Sequence, residues 1–323
     1  MQTQRRWMLG ATISLILAAV AAPVMAQNNK PITIVVGASP GGSTDTLARF
    51  IGQMMGTDLG RTVVVENKPG AGGNIAAQQV ANSAPDGSTL LMSFTSHTIN
   101  ASLFPNLPFD PVADFTPITV VAQVPSVLVA RNSVPFDDVA GLISYAKENP
   151  GKLTFAIGGQ GSSLHLASEQ FKVATQTDIL NIPYKGTGPA LGDLMGGQTV
   201  DLMFASTINV LPQFNNGTIK FLGVSSKQPL SQFQGLSPIS DTVPGYESQA
   251  WFGLFGPAGM PKETTEQLYA AVRKAIDSPE YRKRMQAEAA TVPEMTPAQF
   301  TEFLKKDIAF WGDIVRKSGA KVE

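Results

Sequence analysis

The sequence predicts an α/β protein of two lobes, each a mostly parallel sheet covered by helices. One reason is the length of 323 residues, because a single hydrophobic core stops growing at about 250–300 residues. A second reason is a unit of strand, glycine-rich turn and helix that occurs in both halves of the chain. The third is the alternation of strands with helices, which favours parallel sheets with right-handed crossovers.

The first half is predicted to run strand, helix, strand, helix, strand. Strands are expected at 32–36, 63–68 and 89–96, where β-branched and other apolar residues cluster. The turn at 37–42 is rich in glycine, and a helical pattern follows it from Ser43. This order of elements forms one three-stranded parallel unit.

The second half repeats this order. Strands are expected at 153–157, 179–185 and 200–206, with a glycine-rich turn at 158–161 and a helical pattern from Ser162. The second strand of each half ends in a lysine followed by a glycine turn. The repetition predicts two sheets and therefore two lobes.

Two β-rich passages are expected to connect the lobes. Residues 117–130 suit a crossing from the first lobe to the second, and residues 249–256 suit the return. Helices predicted at 264–277, 279–289 and 297–318, each opened by Thr, Ser or Pro, would then rejoin the first lobe. The expected division is therefore discontinuous: the first lobe is 27–124 with 247–323, and the second is 125–246.

The first 26 residues have the pattern of a cleavable export signal. Arg5 and Arg6 precede an uncharged stretch at 7–22, and small residues occupy positions −3 and −1 of a cut after Ala26. The apolar stretch is shorter than the roughly 20 residues of a transmembrane helix. We therefore expect a protein exported from the cytoplasm, by the general secretory route or, given the paired arginines, the twin-arginine route.

The composition excludes several classes of function. The chain has 24 Lys and Arg against 25 Asp and Glu, so it lacks the basic surface that nucleic-acid binding requires. It has no cysteine, which excludes disulfides, thiolate metal ligands and cysteine nucleophiles. Two histidines leave little for acid–base or metal chemistry. We expect no cofactor and no metal site.

A cleft is expected where the strand-end turns of both lobes converge. In open α/β sheets, ligands bind beyond the carboxyl ends of the strands, where the N-termini of helices also point. If the lobes face each other through these edges, the cleft is formed by the turns at 37–43, 67–74, 95–100, 158–163, 184–190 and 205–209.

The chemistry of these turns favours an anionic ligand. Glycine and hydroxyl residues open a helix at 41–45 and again at 161–163. Unpaired N–H groups and the positive end of the helix dipole can hold a carboxylate there without lysine or arginine. The alternative is that Ser43, Thr44 and Ser163 only cap helices and that Asp45 stabilises its own first turn.

Three side chains near the predicted cleft could add to ligand binding. Lys68 and Lys185 occupy matching positions in the two halves and would contribute positive potential near the cleft mouth. Tyr184 is the preferred aromatic wall, because its ring can pack while its phenol serves a polar ligand.

A serine hydrolase is the main catalytic alternative. Residues 37–41 match the G-x-S-x-G pattern of a nucleophile elbow, with Ser39 as the nucleophile. However, the next residue is Pro40, which has no N–H to donate to an oxyanion. No motif ties His97 or His165 to Ser39 and an acid.

Several ordered motifs resemble the Bug family, the periplasmic substrate-binding proteins of tripartite tricarboxylate transporters. They include Pro-Gly-Gly-Ser-Thr-Asp at 40–45 and the segments at 66–74, 84–91, 149–154, 184–190, 196–203 and 251–254. The resemblance covers the mature chain. It implies a type II periplasmic-binding-protein fold with Venus-flytrap closure, a small carboxylate or polar ligand, a membrane transporter as partner, a monomer, and no catalysis.

The resemblance also implies a set of ligand-binding residues. The family holds its ligand carboxylate with backbone and hydroxyl groups of the strand-end turns, partly through ordered water. By position these are Ser39, Gly42, Ser43, Thr44 and Asp45, with Ser96 and His97 nearby, and Gly161, Ser162, Ser163, Tyr184, Gly186 and Thr187 in the second lobe.

One departure from the family concerns the last of these turns. Many members have an aspartate after Met-Phe, suited to an amino group, whereas this chain has Ala205 and Ser206. We therefore expect a dicarboxylate, an aromatic carboxylate or a neutral compound, with Ser206 in the site. A binding subunit for a partner other than a transporter, such as a sensor kinase, remains an alternative.

Overall fold

The computed structural model of the protein describes residues 30–184, 186–197 and 199–321. The predicted export signal and Lys185 therefore lie outside the described residues. Within these ranges, no helix combines the length and the apolar character needed to cross a bilayer.

The first half has the predicted alternation of strands and helices. Strand β1 lies between β2 and β3 and is parallel to both. Its β-branched residues are buried on both faces, as expected for a central strand of a parallel sheet. The elements are β1 (Ile32–Val36), α1 (Ser43–Leu59), β2 (Val63–Asn67), α2 (Asn74–Ala81), β3 (Thr89–Phe94) and α3 (Ser96–Leu103).

The second half repeats this alternation after a long strand. In it, β5 is parallel to both of its neighbours, β6 and β7. The elements in chain order are β4 (Phe115–Ala130), α4 (Val139–Glu148), β5 (Thr154–Ile157), α5 (Ser163–Thr175), β6 (Leu180–Pro183), α6 (Thr187–Gly196), β7 (Leu202–Ser206), α7 (Thr207–Asn216) and β8 (Lys220–Val224).

The chain then returns to the first half. Strand β9 (Gln249–Pro257) pairs antiparallel with both β3 and β4. Three helices follow: α8 (Lys262–Ile276), α9 (Pro279–Ala287) and α10 (Pro297–Ser318). Ser278 caps α9, and Thr296 with Gln299 forms a capping box on α10, which agrees with the helix starts expected from sequence.

The two predicted sheets are joined through β4. Residues Phe115–Pro125 pair with β9, whereas Ser126–Ala130 pair with β7 on one side. Strand β8 pairs with the segment Val127–Ala130. Among the described residues the strand order is β2-β1-β3-β9-β4-β7-β5-β6. The fold class is confirmed, but one sixteen-residue strand belongs to both sheets.

Three buried serines connect the two crossings between the halves. Ser225, which follows β8, accepts a hydrogen bond from the backbone N–H of Ser126 at 2.8 Å. Its hydroxyl donates to the carbonyl of Ser248, just before β9. Ser225 N–H in turn donates to the carbonyl of Ser126 at 2.8 Å. Both crossing strands are therefore held by one side chain.

Helices cover both faces of each sheet. On the first sheet, α1 and α8 pack on one face, and α2 and α10 pack on the other. In the second half, α4 and α5 lie on one face, and α6 and α7 on the other. The core of the second half also includes Ala289, just after α9. The lobe boundaries at 124 and 246 stay a prediction.

Candidate functional site

The strand-end turns of the first half are locked together by close backbone approach and by asparagines. A Cβ added to Gly37 would lie 2.7 Å from the Cα of Gly73, so the first two turns can touch only without a side chain at position 37. Asn67 Nδ2 donates to the carbonyl of Ala38 at 3.0 Å. Asn100 Nδ2 donates to the carbonyl of Gly72 at 3.2 Å.

Asp45, in the first turn of α1, holds the turn at 37–42 in place. Its carboxylate accepts hydrogen bonds from Gly41 N–H at 2.9 Å, Arg49 Nε at 3.0 Å and Asn67 Nδ2 at 2.9 Å. Burial acts to raise the pKa of Asp45, but these hydrogen bonds outweigh it and hold the pKa below its usual value. Because protein donors occupy both oxygens, Asp45 positions the turn and is not a free ligand contact.

The start of α1 has free backbone donors. Its N-cap is Gly42, and no described side chain caps it. Ser39 and Ser43 are exposed beside it, whereas Thr44 is buried. The first N–H groups of a helix lack intrahelical acceptors, and they carry the positive end of the dipole. The alternative in which Ser43 and Thr44 only cap this helix is wrong, because the N-cap is Gly42.

Capping differs between this edge and the rest of the molecule. At the strand ends, α1, α2, α3, α6 and α7 have no capping hydrogen bond from a described side chain. Away from this edge, Asp138, Ser278 and Thr296 cap α4, α9 and α10, whereas no described side chain caps α8. Of the six helices that start at the strand ends, five therefore leave their first N–H groups without a partner among the described side chains.

The second half matches the first in its turns. A Cβ on Gly158 would lie 2.9 Å from the Cα of Thr187, the counterpart of the contact between Gly37 and Gly73. Gly186, at φ 119°, is the N-cap of α6, and Thr187 opens that helix half-buried. Ser206 is the half-buried N-cap of α7.

Helix α5 is the exception among the strand-end helices. Ser162 Oγ accepts a hydrogen bond from His165 N–H at 3.2 Å and so caps it. Both backbone polar groups of Gly161 have protein partners: its N–H donates to His165 Nδ1 at 3.1 Å, and its carbonyl accepts from Ser96 Oγ at 3.4 Å. Ser163 is half-buried at the first helical position. Gly161 and Ser96 therefore form a contact between the halves.

His97 lies in an apolar interior. Its ring stacks on Phe109 and meets the rings of Phe115 and Phe255, with centroids 4.9 Å away in each of these last two cases. Nε2 contacts the carbonyl of Pro111 at 2.9 Å. Burial lowers the pKa of His97 to about 4, so the ring is neutral. This placement argues against the predicted contact between His97 and a ligand.

Tyr184 and Lys68 have protein partners. The phenol of Tyr184 donates to the carboxylate of Asp193, and its ring packs beside the core of the second half. Burial and that carboxylate raise the pKa of Tyr184 to about 12. Lys68 pairs with Glu66 at 2.9 Å. The phenol of Tyr184 is thus engaged by Asp193, whereas Lys68 stays exposed beside its partner and can still contribute positive potential.

A cavity of about 430 Å³ lies between the start of α1 and the start of α7. Gly41, Gly42 and Ser43 line it from the first half, and Ile208 and Asn209 from the second. Its remaining walls are Thr46, Leu47, Val124, Phe252, Arg284, Met285 and Glu288. The structure thus brings the first and last predicted turns to one cavity.

Sequence reasoning missed part of this cavity. Arg284 lies on α9, and Glu288 lies just after it. Charged residues in this segment are typical of a solvated helix face, so the sequence does not show that these two line a cavity. Asn209 falls inside a predicted turn but has no motif of its own. Topology alone brings α9 against this cavity.

The geometry gives the hydrolase alternative no support. Ser39 is exposed, and the hydrogen bonds of His97 and His165 go to other groups. Within the part of the chain that the structure describes, no cluster of His, Asp and Glu could hold a metal ion. The arrangement offers backbone amides and hydroxyl groups across a cavity, which suits binding of an anion.

Comparisons with known proteins agree with this architecture. BugT of Bordetella pertussis is 34% identical over 316 residues, covering 96% of this chain and 97% of that protein. The structure of an R. palustris protein with adipate has a TM-score of 0.80 at 32% identity, over 90% of this chain and 98% of the other. MatC from Rhodopseudomonas palustris with bound malate has a TM-score of 0.77 at 33% identity, over 88% and 98%.

A family model described as the tripartite tricarboxylate transporter family receptor matches residues 47–320. This match begins within α1 and runs to the end of α10, so it includes the predicted turns other than the first, at 37–43. The resemblance expected from the motifs is confirmed. The chain belongs to the receptors of the tripartite tricarboxylate transporter family.

Proposed function

We propose that this protein is a non-enzymatic periplasmic receptor that closes on a small carboxylate and delivers it to a membrane transporter of the tripartite tricarboxylate type. The observation that carries the proposal is the pair of uncapped helix starts, α1 and α7, that face one cavity from opposite halves. Similar structures with adipate and with malate support a carboxylate as the ligand class.

The proposed ligand donors are the backbone and hydroxyl groups that the protein leaves open at the helix starts. Those in the first half are Ser39, Gly42, Ser43 and Thr44, and those in the second are Ser163, Gly186, Thr187 and Ser206. Ser162 already caps α5 and would position that turn. Amides at a helix start can hold a carboxylate without a neighbouring cation. Asp45, Ser96, Gly161 and Tyr184 would position these turns, and His97 is left out.

The proposed closure bends the crossing strands. Lobes of 27–124 with 247–323 and of 125–246 would rotate about β4 and β9, near the serines that join them. Ligand binding shifts this equilibrium only as far as the ligand prefers the closed form. The contact between Ser96 and Gly161 at 3.4 Å already bridges the two halves.

Thermal shift with a library of carboxylates tests the proposal. A ligand at 100 times its Kd adds about 2.7 kcal/mol to the free energy of unfolding. We expect stabilisation by at least one carboxylate and none by matched amides, which lack the charge. Turnover of an ester together with no response to any carboxylate would refute the receptor function in favour of the Ser39 hydrolase.

Separate measurements test the proposed localisation, oligomeric state and partner. We expect the protein purified from periplasm to begin at Gln27, after removal of the export signal, as read by intact mass. Sedimentation should give a monomer. Co-purification with membranes that contain the transporter, and not with sensor kinases, would separate delivery to a transporter from the sensing alternative.

A further inference from the structure

One wall of the cavity between α1 and α7 carries the cation of an ion pair. Arg284 Nε lies 3.1 Å from Glu288 Oε1, one helical turn further along. Among the described residues, Glu288 is the only hydrogen-bonding or ionic partner of this guanidinium. The side chains are 37% and 24% exposed, so solvent and a ligand can reach both. The Nη groups of Arg284 therefore remain available as donors.

The cavity favours an anionic occupant and offers positive charge from two sources, the helix starts and Arg284. The starts of α1 and α7 each bring the positive end of a helix dipole, about half an elementary charge. Arg284 adds a full positive charge, whereas Glu288 is the one carboxylate among the residues that line this cavity. With Arg284 paired to Glu288, the two helix starts leave about one net positive charge, which one carboxylate matches. A second ligand carboxylate must therefore take the place of Glu288 on the guanidinium of Arg284.

Part of the cavity wall is apolar. Leu47, Val124, Ile208, Phe252 and Met285 line it together with the polar groups. Apolar walls between separated polar groups suit a methylene chain with a charged group at each end. The volume of about 430 Å³ is in the range of sites for small molecules.

The wall that carries Arg284 is held against α7 and the core around the second sheet. Thr207 Oγ1, in the first residue of α7, donates to the backbone carbonyl of Glu288 at 2.9 Å. Ala289, the next residue, is part of the core of the second half. Arg284 is thereby fixed at a definite position relative to the start of α7, which a residue that sets ligand length requires.

We infer that Arg284 is a specificity-determining residue that binds the second carboxylate of a linear dicarboxylate. The first carboxylate lies at the start of α1, and the methylene chain packs on the apolar wall. Glu288 competes with the ligand for the guanidinium and so disfavours weakly charged occupants. This inference rests on the proposed function. It adds a cation to a site whose other donors are amides and hydroxyl groups.

Isothermal titration calorimetry with matched ligands tests the assignment. The linear dicarboxylates from succinate to pimelate are compared with monocarboxylates of the same carbon number, on wild-type protein and on four variants. Arg284→Gln removes the charge, Arg284→Lys keeps the charge without the planar fork, and Glu288→Gln removes the competitor. Arg282→Gln is the matched control, since Arg282 lies on the same helix, pairs with Asp277 and does not line this cavity.

We expect Arg284→Gln to weaken the best dicarboxylate by about tenfold or more and to leave the matched monocarboxylate within about twofold. Arg284→Lys should give an intermediate loss, Glu288→Gln should tighten dicarboxylate binding, and Arg282→Gln should change neither ligand. Unchanged dicarboxylate affinity in Arg284→Gln, or equal loss for both ligand classes, would overturn the inference and leave the proposed function intact. Failure of every carboxylate to bind wild-type protein would instead refute the proposed function, and the inference with it.

Discussion

Replacement of Asp307 by asparagine is expected to raise the free energy of unfolding at pH 8 and to leave it unchanged at pH 4. Asp307 lies on α10, where its Oδ2 accepts hydrogen bonds from Thr98 Oγ1 at 2.6 Å and Trp251 Nε1 at 2.8 Å. Burial raises the pKa of Asp307 to about 6, and the hydrogen bonds offset only part of that effect. Asparagine keeps an acceptor for both donors without a charge.

The magnitude follows from the difference in pKa between the folded and unfolded states. A change from 3.8 to about 6 is roughly 2 units, or about 3 kcal/mol at 1.36 kcal/mol per unit. The folded state binds this proton more tightly, so the stability is fully present below about pH 4. It is lost as the pH rises through 6. The value is an upper limit, because Asp307 is partly exposed and lines a cavity shared with Glu247.

The assay is urea denaturation followed by far-UV circular dichroism between pH 4 and pH 8. The difference between variant and wild type should grow from zero to at most about 3 kcal/mol, or roughly 5 °C in Tm for a chain of this size. Other carboxylates with lowered pKa, such as Asp86, titrate in both proteins and cancel. Asp313→Asn, an exposed position on the same helix, is the control and should bring no gain at pH 8. A difference that does not change with pH, or a less stable Asp307→Asn variant at pH 8, would refute the reasoning.

Three further predictions concern the turns and the crossing strands. Ser43→Asp should stabilise α1 by about 0.5 kcal/mol through the helix dipole, yet abolish the thermal shift with carboxylates because it places a negative charge at the ligand site. Gly158→Val should cost about 1–3 kcal/mol and reduce ligand binding, since its side chain would meet the backbone of Thr187, and urea denaturation with calorimetry measures both. Ser225→Ala should lower the free energy of unfolding by about 1–3 kcal/mol, since it leaves the buried N–H of Ser126 without its acceptor.

Each of these three predictions has an outcome that would contradict it. Ser43→Ala keeps the backbone donors and should retain most binding, so equal loss in both Ser43 variants would point to the hydroxyl and not to charge. Gly188→Ala is the control for Gly158, because a Cβ on Gly188 meets nothing within 4 Å. Full stability of Ser225→Ala would mean that another acceptor or water replaces its hydroxyl.

The repeated strand and helix order was predictable because it depends on local pattern. Runs such as 32–36 and 153–157 are apolar enough to be central strands, and their glycine turns mark the helix starts that follow. Both were found with boundaries within a residue or two of the prediction. The fold class and the family follow from the same segments.

The parts that were not predictable depend on contacts between distant residues. The sequence suggested two sheets, but nothing local shows that Phe115–Ala130 is one continuous strand shared by both. His97 resembled a cleft residue by its place after a strand end, yet its ring packs among phenylalanines from other segments. Arg284 reaches the cavity only because α9 returns to it from the far end of the chain.

The strand shared by both sheets has a consequence for how the chain folds. All strands of the second sheet lie in one continuous stretch, from Ser126 to Val224, so that sheet can form from contacts close in sequence. The first sheet needs β9, whose Phe255 pairs with Leu91. Closing so long a loop costs entropy while the intervening chain is unfolded, and the cost falls once that chain is compact. We therefore expect the middle of the protein to fold first and to act as the template that brings the two ends of the polypeptide together.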